Sequence, residues 1–153
     1  MKIRSLIPAL ILTLTSCGGG GGGGGSSIVG TWRGSLFLTD NTCSFQADDN
    51  YEAKYTINSD EARTIVHEQE INTSAEFSFQ GPTLAQADTL RVTQQVQDFC
   101  GGNPNFPVTI FRTLEINQDS GNILNIQRTQ SFSEGCSDTP CTRSWTGIAE
   151  RID

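Results

Sequence analysis

Arg112 and Arg128 are the most conspicuous chemical groups of this sequence, because each occupies an apolar position in an alternating stretch. A buried guanidinium is costly unless an anion pairs with it or an aromatic ring stacks on it. Gln94 and Gln130 fall on the same predicted faces and extend a polar patch. These four side chains predict a polar site on an otherwise apolar surface.

Two interpretations of this patch stay open. In one, the arginines are neutralised internally, by Asp98, by Glu68 and Glu70, or by stacking on Trp32. In the other, they hold the carboxylate or phosphate of a small amphipathic ligand. Its apolar part would then contact three aromatic side chains, Trp32, Tyr55 and Phe77.

Catalytic groups are scarce. His67 is the one histidine of the chain, and on a strand it points away from its neighbour Glu68. No nucleophile motif accompanies the serines, and no cluster has the spacing of a metal site. We therefore expect no enzyme activity, no cofactor and no metal.

The elements that must position these residues are strands. Apolar residues recur every second position from Ile28 onward, which is typical of half-buried strands. Eight strands are expected, at approximately residues 28–38, 51–57, 62–71, 75–79, 88–98, 107–118, 122–132 and 142–151. Short polar connections favour an all-β antiparallel meander, closed into a barrel, with a β-sandwich as the alternative.

The turn at Asp119-Ser120-Gly121 suggests how two of these strands pair. A three-residue loop would place Ile116 opposite Leu124, and Arg112 directly opposite Arg128 on one face. A two-residue loop would shift the register by one residue. The apolar side chains of the two strands would then point to opposite faces of the sheet.

Val29-Gly30-Thr31-Trp32, at the start of the first strand, resembles the Gly-x-Trp signature of lipocalins and fatty-acid-binding proteins. The resemblance implies an up-and-down barrel in which this Trp closes one end. It also implies a basic partner for the Trp on the last strand, either Arg143 or Arg151.

The N-terminus has the order of a targeting signal: Lys2 and Arg4, a short apolar run, and then Leu14-Thr15-Ser16-Cys17. This last motif resembles the lipobox of bacterial lipoproteins. The resemblance implies that residues 1–16 are a signal peptide, that Cys17 is acylated, and that the chain is anchored in the cell envelope. Gly18 after the Cys implies the outer membrane, facing the periplasm or the cell surface. An ordinary secretory leader is the alternative.

Residues 17–27 continue as a Gly/Ser tether with a reach of roughly 17 to 19 Å, which leaves 28–153 as one folded domain. Four cysteines of this domain are expected to form disulfides in an oxidising compartment. The turn residues of Cys136-Ser-Asp-Thr-Pro-Cys141 favour a short bridge there, which would leave Cys43 to pair with Cys100.

Charge excludes one class of partner. The chain has 10 basic and 17 acidic side chains, a net charge of −7. Loss of Lys2 and Arg4 with the leader would leave 8 against 17, or −9. Nucleic-acid binding is therefore disfavoured. Two functions remain: a lipoprotein that binds a small amphipathic anion in its barrel, or an envelope structural or protein-interaction module without a ligand. The sequence does not identify a protein partner.

Overall fold

The computed structural model describes residues 27–84, 89–133 and 140–153. The expected signal peptide, Cys17 and Cys136 lie outside the described residues. The described part contains eight strands: β1 (Gly30–Asn41), β2 (Asn50–Ser59), β3 (Thr64–Glu70), β4 (Glu76–Gly81), β5 (Thr89–Phe99), β6 (Pro107–Ser120), β7 (Ile123–Phe132) and β8 (Cys141–Arg151). A short 3-10 turn, Cys100–Gly102, follows β5.

The strands form one closed barrel in chain order, each antiparallel to the next, with β8 pairing back onto β1. The all-β fold class and the eight-stranded meander are confirmed, and the architecture is consistent with a lipocalin-like barrel. Closure is weakest between β4 and β5, which share the single residue pair Gln80–Thr93 among the described residues. The sandwich alternative is excluded by the β1–β8 pairing.

Alternation along each strand fills the barrel interior. On β2, Tyr51, Ala53, Tyr55 and Ile57 face inward and are buried. Gly34 on β1 makes room for the Tyr55 ring, because a Cβ atom there would lie 2.7 Å from ring atom Cε2. The interior is therefore packed along much of its length, with Trp32, Tyr55 and Phe79 among its fully buried side chains.

One end of the barrel is closed. The guanidinium of Arg151 on β8 lies 4.3 Å from the Trp32 ring centroid. Its Nη1 donates a hydrogen bond to the carbonyl of Val29 at 3.1 Å, and its Nη2 donates to that of Ser27. Asp153 accepts a hydrogen bond from the Thr31 backbone N–H at 2.7 Å. Of the two basic partners expected for Trp32, the structure places Arg151 in that position.

The disulfide pairing expected from the sequence is wrong. Cys43 is bonded to Cys141, with Cα atoms 5.0 Å apart, and not to Cys100. Cys100 is itself disulfide-bonded. The reason is barrel closure: Asn41 of β1 pairs with Arg143 of β8, so the cysteines two residues beyond each meet across this seam.

The expected β6–β7 register is also wrong, by two residues. Ile116 pairs with Ile126, and Arg112 pairs with Gln130 rather than with Arg128. The connection is the two-residue turn Gly121-Asn122, and an irregularity between Gln118 and Ser120 adds one residue to β6. The added residue restores the apolar faces that the short turn would otherwise reverse. Both arginines therefore still face inward.

Within the described residues, no helix is long and apolar enough to cross a membrane.

Candidate functional site

The end opposite Trp32 contains a cavity of about 240 Å³. The β1–β2 connection, the adjoining ends of β2, β3 and β4, and the inner faces of β7 and β8 surround it. We call it the mouth cavity. Its aromatic walls are Tyr51, Phe77 and Trp145, and its basic walls are Arg128 and Arg143. Gln130, Glu70 and Asp48 also line the cavity.

A row of inward polar side chains runs around one side of the barrel beside this cavity. Cross-strand pairing joins Gln94 on β5 to Arg112 on β6, Arg112 to Gln130 on β7, and Gln130 to Arg143 on β8. We call these four residues the polar row. It separates the main apolar core from a smaller apolar cluster around the Cys43–Cys141 disulfide.

Arg128 lies one inward position below the polar row and is neutralised internally. Its Nε donates to both carboxylate oxygens of Glu68, at 3.1 and 3.3 Å. Both side chains are buried, with exposed fractions of 3% and 0%. Burial opposes the charge of Arg128, but Glu68, Tyr51 and Tyr55 together outweigh this effect and raise the Arg128 pKa. The guanidinium also lies 4.4 Å from the Tyr51 ring centroid. For this arginine, the ion-pair interpretation is correct.

Two tyrosines surround the same carboxylate. The Tyr51 and Tyr55 hydroxyl groups are buried and have no hydrogen-bond partner within the described ranges. Burial, followed by the negative charge of Glu68, raises the pKa of each phenol above its ordinary value. Both phenols are therefore neutral at physiological pH.

Arg112 has no such carboxylate. Its Nη1 donates to Oε1 of Gln94 at 3.1 Å, and its guanidinium lies 4.4 Å from the Phe77 ring centroid. Its Nε is buried without a hydrogen-bond partner, and no ion pair of Arg112 occurs among residues 27–84, 89–133 and 140–153. Burial, together with the nearby charge of Arg128, lowers its pKa.

Arg143, at the cavity wall, also has no carboxylate partner among the described residues. Its guanidinium lies 3.9 Å from the Phe45 ring centroid and 5.3 Å from that of Phe132. Its Nε is also buried without a partner, and the described part of the chain gives it no ion pair. Burial lowers the Arg143 pKa, and attraction by Asp48 partly opposes this effect.

The cavity also carries negative charge, on the opposite wall. Glu70 ends β3, is half-buried, and makes no ion pair with any described residue. In an eight-stranded meander β3 lies across the barrel from β7, so Glu70 faces the polar row. Asp48 lies in the β1–β2 connection, which is fixed by a 3.0 Å hydrogen bond from Trp145 Nε1 to the Asp48 carbonyl.

The structure brings together most of the residues singled out from the sequence. Gln94, Arg112, Gln130, Arg128 and Phe77 form a contiguous group, and the last three of them line the mouth cavity. Trp32 and Tyr55 do not join them as cavity walls. Each has an exposed fraction of 0% and belongs to the packed core, because side chains from all around the barrel fill the interior at their level.

Arg143 was missed as a member of this site, as were Tyr51 and Trp145. The signal was present: Arg143, Trp145 and Ala149 share the same parity on β8, and Trp145 and Ala149 are apolar. That parity indicates that Arg143 faces inward, whereas the resemblance directed attention to its possible contact with Trp32.

Comparison with known proteins gives no assignment: no family model matches, and no similar curated protein or solved structure is found. The described residues contain no group of three or more His, Cys, Asp or Glu side chains suited to a metal ion.

Proposed function

We propose that this domain binds a small anionic solute at the mouth of its barrel, as part of a lipoprotein tethered through Cys17. One observation carries the proposal: Arg143 lines the mouth cavity and Arg112 lies in the same polar row, neither has a carboxylate partner in the described chain, and each has a buried, unpartnered Nε. An unpaired guanidinium in a partly buried site favours an anion, because a carboxylate or phosphate satisfies its charge and its planar donors together.

The dimensions of the cavity limit the ligand. About 240 Å³ is below the roughly 300 Å³ at which pockets for drug-sized molecules begin. The packed layer that contains Tyr55 and Trp32 lies beyond the cavity, so no channel is left for a long acyl chain. The ligand is therefore a short molecule with one anionic group and a compact apolar part, which the Phe77, Tyr51 and Trp145 rings contact.

The cellular setting is part of the proposal. The basic residues, apolar run and Cys17 of the N-terminus support an acylated envelope protein, and the Gly/Ser tract supports a flexible link to the domain. Outer-membrane placement is proposed from Gly18. A disulfide between Cys43 and Cys141 is compatible with an oxidising compartment.

The test uses the full chain in non-ionic detergent and 3-phenylpropionate as the probe, followed by NMR chemical-shift titration. A ligand of this size should bind weakly, with Kd on the order of 0.1–1 mM. Arg143→Gln should weaken binding about tenfold or more, because it removes a charge-assisted hydrogen-bond donor. Arg33→Gln is the matched control, since Arg33 is 60% exposed on the outer wall.

Binding that is unchanged in Arg143→Gln, or shifts confined to the outer wall, would contradict the proposal. Tryptophan fluorescence of each variant checks that the fold is retained, because Trp145 lies at the site and Trp32 at the opposite end.

One observation favours the second candidate, a module without a ligand. The interior is largely filled, and large apolar side chains such as Phe37 and Ile148 are exposed on the outer wall, at 59% and 47%. Under this interpretation, the polar row is a structural layer. Arg143→Gln would then change the stability of the protein, and no carboxylate probe would bind.

A further inference from the structure

The mouth cavity carries charges of both signs that make no ion pair within the described residues, and these charges limit which ligands can bind there. Arg143 on β8 and Glu70 on β3 both line it, and neither makes an ion pair within the described residues. The two strands belong to different walls, since β1 and β2 lie between them in the closed sheet. A ligand in the cavity therefore contacts a cationic wall and an anionic wall at once.

A simple anion suits only half of this lining. Its carboxylate would be attracted by Arg143 and by the other members of the polar row, but repelled by Glu70 and Asp48. Glu68 does not add to this repulsion, because it is already paired with Arg128. A molecule with an ammonium and a carboxylate satisfies both walls, and each charge then finds a partner that it lacks in the protein alone.

Resting on the proposed function, we infer that the mouth cavity binds a small zwitterion, a free α-amino acid with an apolar or aromatic side chain. Its carboxylate pairs with Arg143 and Gln130, and its ammonium with Glu70. At about 30 Å³ per water, the 240 Å³ cavity holds roughly eight waters, which is the scale of one free amino acid. The rings of Phe77, Tyr51 and Trp145 provide the surface for the side chain.

The experiment compares three probes that differ in one charged group: L-phenylalanine, 3-phenylpropionate, which lacks the ammonium, and phenethylamine, which lacks the carboxylate. Each is titrated into the full chain and followed by NMR. We expect L-phenylalanine to bind about tenfold more tightly than either single-charge probe, because it makes one more charge-assisted contact.

The variant Glu70→Gln should abolish this preference. L-Phenylalanine should lose about tenfold in affinity, whereas 3-phenylpropionate should bind equally or more tightly, because a repulsive charge is removed. Glu76→Gln is the matched control, since Glu76 is exposed on the neighbouring strand β4. Arg143→Gln should weaken both carboxylate probes.

The outcomes separate the inference from the proposed function. Equal affinity for L-phenylalanine and 3-phenylpropionate, with both lost in Arg143→Gln, would overturn the zwitterion and keep the anion site. Tightest binding of phenethylamine would overturn the inference in favour of a cation site. No binding of any probe would overturn both.

Discussion

Arg112 and Arg128 carry the same guanidinium group, but within the described residues only Arg128 is paired with a carboxylate. Glu68 on β3 reaches Arg128 across the barrel, and its two oxygens share the Nε donor. A buried pair of this kind contributes little net stability, but loss of one partner is costly because a buried charge is left behind. Arg112 has only the Gln94 amide as a polar partner in the described chain, so no carboxylate there balances its charge.

The raised pKa values of Tyr51 and Tyr55 predict how the protein responds to alkali. These are the two tyrosines of the chain, so tyrosinate absorbance reports on them alone. The unfolded chain loses both protons near pH 10, whereas the folded state keeps them. Stability should therefore fall as pH rises above about 10, by up to about 1.4 kcal/mol per pH unit for each tyrosine.

The measurement follows tyrosinate absorbance and tryptophan fluorescence in one titration. Both signals should change together, at a pH above 10, when the barrel unfolds. Tyr51→Phe should make the fall in stability shallower, because one titrating group is removed. Tyrosinate formation near pH 10 in a protein that is still folded would contradict the assignment.

At the level of the elements, the sequence predicted strands, faces and meander well, because alternation is a local signal that requires no knowledge of neighbours. Register was harder to predict. The two-residue turn and the irregularity between Gln118 and Ser120 together give Arg112 the partner Gln130 instead of Arg128, without exposing any apolar residue. A shift of two residues preserves every face, so the hydrophobic pattern cannot detect it.

Local sequence patterns also do not reveal which distant strands pair, and for this reason the disulfide and part of the site were not predicted. Pairing of β1 with β8 joins the first strand to the last, and nothing local to Cys43 or Cys141 indicates it. The inward direction of Arg112, Arg128 and Gln130 could be predicted from parity. The cavity, its volume and the position of Glu70 opposite Arg143 depend on closure, and required the folded structure.

The Cys43–Cys141 bridge yields a prediction for the β1–β8 seam. Its sequence separation of 98 residues corresponds to a chain-entropy contribution of about 4.7 kcal/mol at 25 °C. The double variant Cys43→Ser, Cys141→Ser should unfold at a clearly lower urea concentration, while keeping the near-ultraviolet circular dichroism of the barrel. The β1–β8 ladder does not require the bridge to form.

Urea unfolding of the double variant under oxidising conditions is the measurement, because it leaves the disulfide of Cys100 in place. An unchanged urea midpoint would contradict the prediction, because the disulfide would then add no stability beyond that of the β1–β8 pairing.

For the whole molecule, the barrel is asymmetric along its axis. One end is sealed by Trp32 and Arg151, and the other contains the mouth cavity. Arg151→Lys should keep the charge but lose the planar stacking on Trp32 and the donors to Val29 and Ser27. We expect a stability loss of about 2 kcal/mol, from the combined stacking and hydrogen bonds.

The loss of stability in Arg151→Lys should arise in the segment before Thr31, which Arg151 holds in place. A protease should therefore cut this segment faster than in the parent protein. Arg91→Lys is the control, because Arg91 is 66% exposed in a surface pair with Glu115 and should change stability by less than about 0.5 kcal/mol. Equal proteolysis of the two variants would argue against the role given to Arg151.

The sealed end is also where the chain enters the barrel, since residues 27–31 lie beside Arg151 and Asp153. If Cys17 carries the lipid, the flexible tract joins the domain at its sealed base, and the opening lies at the end farther from the point of attachment. Solutes would then reach the opening by free diffusion, without first passing the attached end.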